Sequence, residues 1–396
     1  MTTWARVSEL PWLDARRASA WLRILAGMSV LAVAGWLALS RGGLDPTGKP
    51  LGTDFVSYWT AARMVLTGAP AAAVYDQALH AALQTATFGG KDVGYAPFPY
   101  PPSFLLICLP LGSLPYLGAL AAWMAGTGYA YWRVARAWLG QATGLALPVL
   151  AFPAVLINLG HGQNGFLTAA LFGGGALLLG RRDVVAGLLL GTLAFKPHLG
   201  LLIPVALLAS RNWRAFAGAA TSSLLLTGLS AAAFGLDAWR AYPAQVEMMR
   251  AIVEQGVLDP AKLQSAFGAL RQLGAPLAPA YGLQALFALA AAAAVAMFAW
   301  RRPRSHALGP VLISATLLVS PYLLDYDLVL AAIPLAWLFA QGRDGGFLPW
   351  EKAVLLAAFV LPLVARLVAM NAPVALSPLV LAALLTVVVR RGWQSA

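Results

Sequence analysis

The sequence predicts an all-α, polytopic integral membrane protein, and two observations carry that prediction. Hydrophobic residues make up 60% of the 396-residue chain and charged residues only 11%. Mean hydropathy is +0.73, whereas a soluble domain is roughly one-quarter charged. The arginines also come in short clusters between apolar runs: Arg16, Arg17 and Arg23; Arg133 and Arg136; Arg181 and Arg182; Arg211 and Arg214; Arg301, Arg302 and Arg304; Arg390 and Arg391. That is the positive-inside pattern of cytoplasmic loops. The net charge of +12 therefore reads as membrane orientation. No run interleaves basic and aromatic residues as a nucleic-acid surface would.

With every cluster placed in the cytoplasm, the crossings follow in order. Residues 22–40 go out and 101–136 return; 143–160 go out and 164–180 return. Residues 184–195 and 198–210 form a hairpin, 213–234 go out and 281–300 return. Residues 308–320, 326–341, 351–369 and 378–390 complete the set. The count is about 12 transmembrane or partly spanning helices, with both termini inside. The first run has basic residues ahead of it and no small-residue cleavage site after it, which predicts an uncleaved signal anchor.

Several runs fall short of the roughly 20 residues of a clean span. Residues 184–195, 198–210 and 308–320 are too short, and Pro110 and Pro115 interrupt 101–136. Broken segments are tolerated where they line a protein-walled or wet cavity, so the chain is expected to enclose one. Two polar stretches, 41–100 and 235–280, fall outside the membrane on the extracytoplasmic side. "AAAVYDQALHAALQTATF" in the first reads as an amphipathic surface helix. The second has helical apolar spacing at Trp239, Tyr242, Val246, Met249 and Val253.

Chemistry-bearing residues are few. Cys108 is the single cysteine, so there is no intrachain disulfide and no thiolate metal site. Neither metal-ligand spacing, nor a phosphate-binding glycine loop, nor a convincing Ser-His-Asp arrangement occurs. No metal, nucleotide or other cofactor is expected.

The topology nevertheless gathers five polar motifs at the outer face. They are "LGTDFVSYWTAARMVL", with Asp54, Tyr58 and Arg63; "YAPFPYPPS", with Tyr100; "GHGQNG", with His161, Gln163 and Asn164; "FKPH", with Lys196 and His198; and "SPYLLDYDL", with Tyr322 and Asp325. Ionisable groups at a membrane edge are candidates for function. Plainer readings stand beside these. Asp54 could N-cap the helix after it, as could Asp325 and above all Asp327. Lys196 could snorkel to the interface, and the His161 turn could satisfy helix ends.

Taken together, "TDFVSYWTAARMVLTGAPAAAVYD", "YPPSFLLICLPLGSLP", the stretch from "GQNGFLTAAL" through "LAFKPHLGLLIP" to "SRNWRA", and "SPYLLDYDLVLAAIPLAWL" resemble the family 87 glycosyltransferases. The resemblance runs from about residue 50 to about 340. It implies a GT-C-type fold, one membrane-embedded domain over 1–396, and a polyprenyl-phosphate-linked sugar donor, often mannose. It implies a glycan or glycolipid acceptor, a bacterial plasma-membrane location and an extracytoplasmic site. Asp54 matches the family's catalytic carboxylate, and Lys196 with its neighbours matches a polar hairpin near the donor phosphate. Relatives can carry a histidine in the segment corresponding to 320–328. Here Tyr322 and Asp325 stand there instead.

The chemistry of the residues agrees with this. A lipid-phosphate donor brings its own leaving group, Asp54 suits a general base, and Lys196 or a charged His198 suits the departing phosphate. One base without a protein nucleophile implies inversion. The rival reading is a transporter or lipid flippase. Broken helices would serve it equally, but the paired repeats common in transporters are absent.

Overall fold

The computed structural model describes residues 9–140, 147–372 and 374–394. The first four residues of the expected crossing at 143–160, and the outermost residues of both termini, lie outside that set. The described residues are helical, with isolated β-bridges in place of any sheet.

Among the described residues, four helices are long and apolar enough to cross a membrane: Ala15–Leu39, Trp213–Phe234, Leu277–Arg301 and Glu351–Asn371. Large apolar side chains such as Leu31, Leu224, Leu289 and Leu367 are exposed on them, as lipid-facing residues are. Several other apolar runs form shorter helices, including Gly165–Leu178, Asp183–Thr192 and Leu202–Ala209. Against an expectation of about twelve full or partial crossings, four helices have full length and hydropathy.

Prolines set several of the breaks. The run 101–136 separates into Pro102–Cys108, a 3₁₀ turn at Leu109–Ser113 that contains Pro110, and Tyr116–Leu139, whose N-cap is Pro115. Proline is accommodated at helix starts because its missing N–H has no partner there anyway. The hairpin helix Asp183–Thr192 lies against Trp213–Phe234 through small residues. A Cβ at Gly187 would come within 2.0 Å of the Ala215 carbonyl oxygen, and one at Gly191 within 2.1 Å of that of Ala219. Such backbone contact is how helices associate where lipid removes the hydrophobic drive.

The two polar stretches are helical in part. Gln77–Thr87 starts at Asp76, whose side chain accepts from Leu79 N. Leu236–Glu254 forms despite Pro243, but its buried face carries Ala238, Gln245 and Val253. Val246, expected on that face, is exposed.

The arginine-bearing helix ends meet one another. Arg343 donates to the Leu139 carbonyl, Arg302 to that of Trp393, and Arg391 pairs with the buried Glu351. The polar motifs gather at the other end of the bundle. Tyr116–Leu139, 24 residues long and so about 36 Å, runs from one end to the other.

Candidate active site

Two loops carry the centre of the site, and glycine lets them touch. Gly52 and Gly162 both have positive φ, +74° and +64°. A Cβ on Gly162 would fall 2.6 Å from Phe55 Cβ and 3.1 Å from Gly52 Cα. At this contact Asp54 N donates to the His161 carbonyl at 2.9 Å. Tyr116 donates to the Leu51 carbonyl and Trp123 to that of Gly162. The loops are therefore fastened through backbone and held from behind by Tyr116–Leu139.

Asp54 occupies the N-cap position of Phe55–Leu66, yet its side chain makes no capping hydrogen bond. It turns to the other loop instead. Oδ2 accepts from Gln163 Nε2 at 3.1 Å and lies 3.7 Å from His161 Nδ1. That nitrogen is also 2.9 Å from Thr53 Oγ1. The Asp54 side chain keeps 33% of its surface exposed and His161 keeps 24%, so both can reach a substrate.

Gln163 is the hub behind them. Its Oε1 accepts from the hydroxyls of Tyr58 and Tyr100 and from Asn164 N. Three donors on the carbonyl oxygen leave Nε2 to face the carboxylate. The two tyrosine hydroxyls stand 3.0 Å apart, and both rings are buried. This network fixes where the Asp54 carboxylate points.

Lys196 follows the 3₁₀ turn Leu193–Phe195. It is 2% exposed. Nζ donates to Asn164 Oδ1 at 3.0 Å and to Asp327 Oδ1 at 2.5 Å, and it lies 5.2 Å from the centre of the Tyr326 ring. Asp327 does cap, its Oδ2 accepting from Leu324 N, but its other oxygen neutralises the lysine. The snorkelling reading of Lys196 does not hold, because its ammonium is inside the protein. Half-buried His198 follows, with a buried Nε2 that has no hydrogen-bond partner.

Asp325 is buried, accepts from Tyr326 N and lies 3.7 Å from Arg366. Burial pushes its carboxyl up from the ordinary carboxylate value, while His161 and Arg366 pull the other way. Two expected residues stand apart. Tyr322 joins its hydroxyl to that of Tyr281 beside Phe267, in a separate small core. Arg63 is exposed and donates to the Gly112 carbonyl.

The structure therefore unites Asp54, Tyr58, Tyr100, His161, Gln163, Asn164 and Lys196. It adds Thr53, Tyr326, Asp327 and Arg366, which the sequence reading did not single out as site residues. Arg366 carried a signal: it is an arginine inside the apolar run "VLLAAFVLPLVARLVAM", where a charge needs a reason. Among the described residues, no three His, Cys, Asp or Glu side chains converge as a metal site.

A half-open carboxylate, oriented by an amide and faced by an imidazole, is equipped to accept a proton from a hydroxyl. The glycosyltransferase family 87 profile matches residues 98–321, more than half of the chain. No curated protein and no solved structure matches it. The match favours a transferase over a transporter or flippase. It includes Tyr100, the His161–Asn164 turn and the Lys196 hairpin, but begins after Asp54, so the assignment does not rest on the Asp54 stretch. Together with the four apolar helices, the match establishes that the chain belongs to glycosyltransferase family 87 and is a membrane glycosyltransferase.

Proposed function

We propose that the chain moves a hexose, mannose by the family resemblance, from a polyprenyl-phosphate donor to a glycan or glycolipid acceptor. Asp54 acts as the general base. The observation that carries this reading is the Asp54 side chain. It is free of the helix cap, one-third exposed, and hydrogen-bonded by Gln163.

In the reaction the acceptor hydroxyl attacks the anomeric carbon as its proton passes to Asp54. A new C–O bond forms on one face of the sugar while the bond to the phosphate oxygen breaks on the other, which inverts the anomeric centre. The polyprenyl phosphate leaves with the bonding pair and one more negative charge. His161, beside Asp54, helps to orient the carboxylate and the incoming hydroxyl. Lys196 serves as a strut: through Asn164 it steadies the Gln163 turn.

The arginine-bearing ends, by the positive-inside rule, face the cytoplasm, and the site faces the extracytoplasmic side. A lipid donor explains why the base stands at the edge of a bilayer. The whole chain 1–396 acts as one membrane-embedded domain in this reading. The test is incubation of purified protein with labelled polyprenyl-phosphate hexoses and glycan or glycolipid acceptors. Transfer that requires the lipid phosphate is expected. Transfer from a nucleotide sugar alone would remove the proposal.

A further inference from the structure

One carboxylate near the site is faced by basic side chains from three separate parts of the chain. Asp325 has Arg366 at 3.7 Å. The antiparallel bridge between Leu263 and Leu324, reinforced by Gln264 N donating to the Leu323 carbonyl, sets Lys262 opposite Asp325. His161 acts on the same carboxylate from the Asp54 side, as do Arg366 and Lys262 from theirs.

The cations differ in what they have left to give. Lys196 is already committed, with two acceptors in a buried setting. Among the described residues, the Arg366 and Lys262 side chains donate no hydrogen bond, and Arg366 meets Asp325 only at ion-pair distance. Arg366 is also 37% exposed. It stands on Glu351–Asn371 among Leu363, Leu367 and Met370, all exposed. An arginine with an unspent guanidinium, set in a lipid-facing apolar surface, is suited to an anion that carries an apolar tail. Its planar fork matches phosphate oxygens two at a time.

We propose that Arg366, with Lys262 beside it, grips the phosphate of the lipid donor, while Asp325 holds the guanidinium in place until that anion arrives. This rests on the proposed function and deepens it. The phosphate gains a negative charge as the sugar leaves, so a cation here is worth more at the transition state than in the ground state. The tail then lies along the exposed leucines of the same helix, and the anomeric carbon points towards Asp54.

The test is binding of a polyprenyl monophosphate by the full chain in detergent, against the neutral polyprenol of the same length. The parent should prefer the phosphate. Arg366→Gln should lose roughly 10- to 100-fold in affinity for it, the span of a charged hydrogen bond, with polyprenol binding unchanged. Arg366→Lys should lose less. Asp325→Asn keeps an oxygen for Tyr326 N but removes the competing charge, so it should bind the phosphate more tightly than the parent.

A structural role for the pair would weaken both variants, so the opposite signs are the signature of the site. Unchanged phosphate affinity in Arg366→Gln and Asp325→Asn overturns the inference and leaves the donor class standing. If Arg366→Gln does not fold, an unchanged Asp325→Asn affinity is enough to overturn it. A parent that shows no preference for the phosphate overturns both the inference and the donor assignment.

Discussion

Replacing Asp54 by Asn separates chemistry from architecture because the side chain contributes so little to the fold. It makes no cap bond, so helix Phe55–Leu66 loses nothing at its start. Its contact with Gln163 survives through the amide oxygen. The His161 interaction at 3.7 Å joins two partly exposed groups, a class of pair worth about 0–1 kcal/mol. Stability should therefore fall by no more than about 1 kcal/mol. Activity should fall much further. An amide cannot take the acceptor's proton, and losing a general base costs about 10²- to 10⁴-fold, or roughly 3–5 kcal/mol of barrier. The assay is single-turnover transfer of labelled hexose from a synthetic polyprenyl-phosphate donor, run beside thermal unfolding in the same detergent. An Asn variant that transfers at close to the parent rate would refute the role of Asp54. So would a variant whose inactivity tracks a collapse in stability.

Three further outcomes follow from the same geometry. Lys196→Met strands buried Asp327 and should cost about 3–5 kcal/mol, whereas Lys196→Met with Asp327→Leu should recover much of that; equal unfolding midpoints for single and double variants would contradict the pairing. Gly162→Ala must push Phe55 away and strain a backbone at φ +64°, so transfer should fall at least about tenfold by misplacing Asp54 against Gln163; a fully active alanine variant would mean that the loops do not need this contact. Burial holds His80 down at about 4, against the opposing pull of its bond to the Ser57 carbonyl. A depressed histidine favours folding above its ordinary value of 6.5, so that stability drains away as pH falls from there towards 4, by up to about 1.4 kcal/mol per unit. His80→Gln should flatten that part of the stability profile, and an unchanged acid slope would count against it.

Much of the helix placement was readable from hydropathy and arginines. The run 213–234 coincides with Trp213–Phe234, and 351–369 falls within Glu351–Asn371. These are local properties: an apolar stretch of bilayer length bounded by polar residues is helical almost wherever it lies. The prolines of 101–136 broke that run where expected, for an equally local reason. The site was legible only by inventory. Asp54, Gln163 and Lys196 could be singled out as polar residues in costly places, but which side chains they would pair with could not. Asp54 sits where a cap belongs, and only the contact between Gly52 and Gly162 turns it towards Gln163. Asp327 read as a cap because no periodicity connects it to a lysine in a distant hairpin. Arg63 read as part of the site because it shares a helix with Tyr58, yet it projects to the opposite side.

The pairing of Lys196 with Asp327 also bears on how the chain is made. The two residues are 131 positions apart. At about 5–20 residues per second, roughly 7–26 s of synthesis separate them. During that interval the ammonium has no carboxylate, and even at the turn of a hairpin a lone lysine opposes burial, by up to the roughly 2.5–3.5 kcal/mol of a lysine at the centre of a membrane helix. The hairpin of short helices around Lys196 can wait at the interface with its charge in water, then settle inward once the later helices arrive. A nascent chain stopped before residue 327 should therefore leave Lys196 open to aqueous amine reagents, and one extended through the helix Ala332–Gly345 should close it off. Asp327 is in that sense an instruction about the order of assembly as well as a contact within the finished protein.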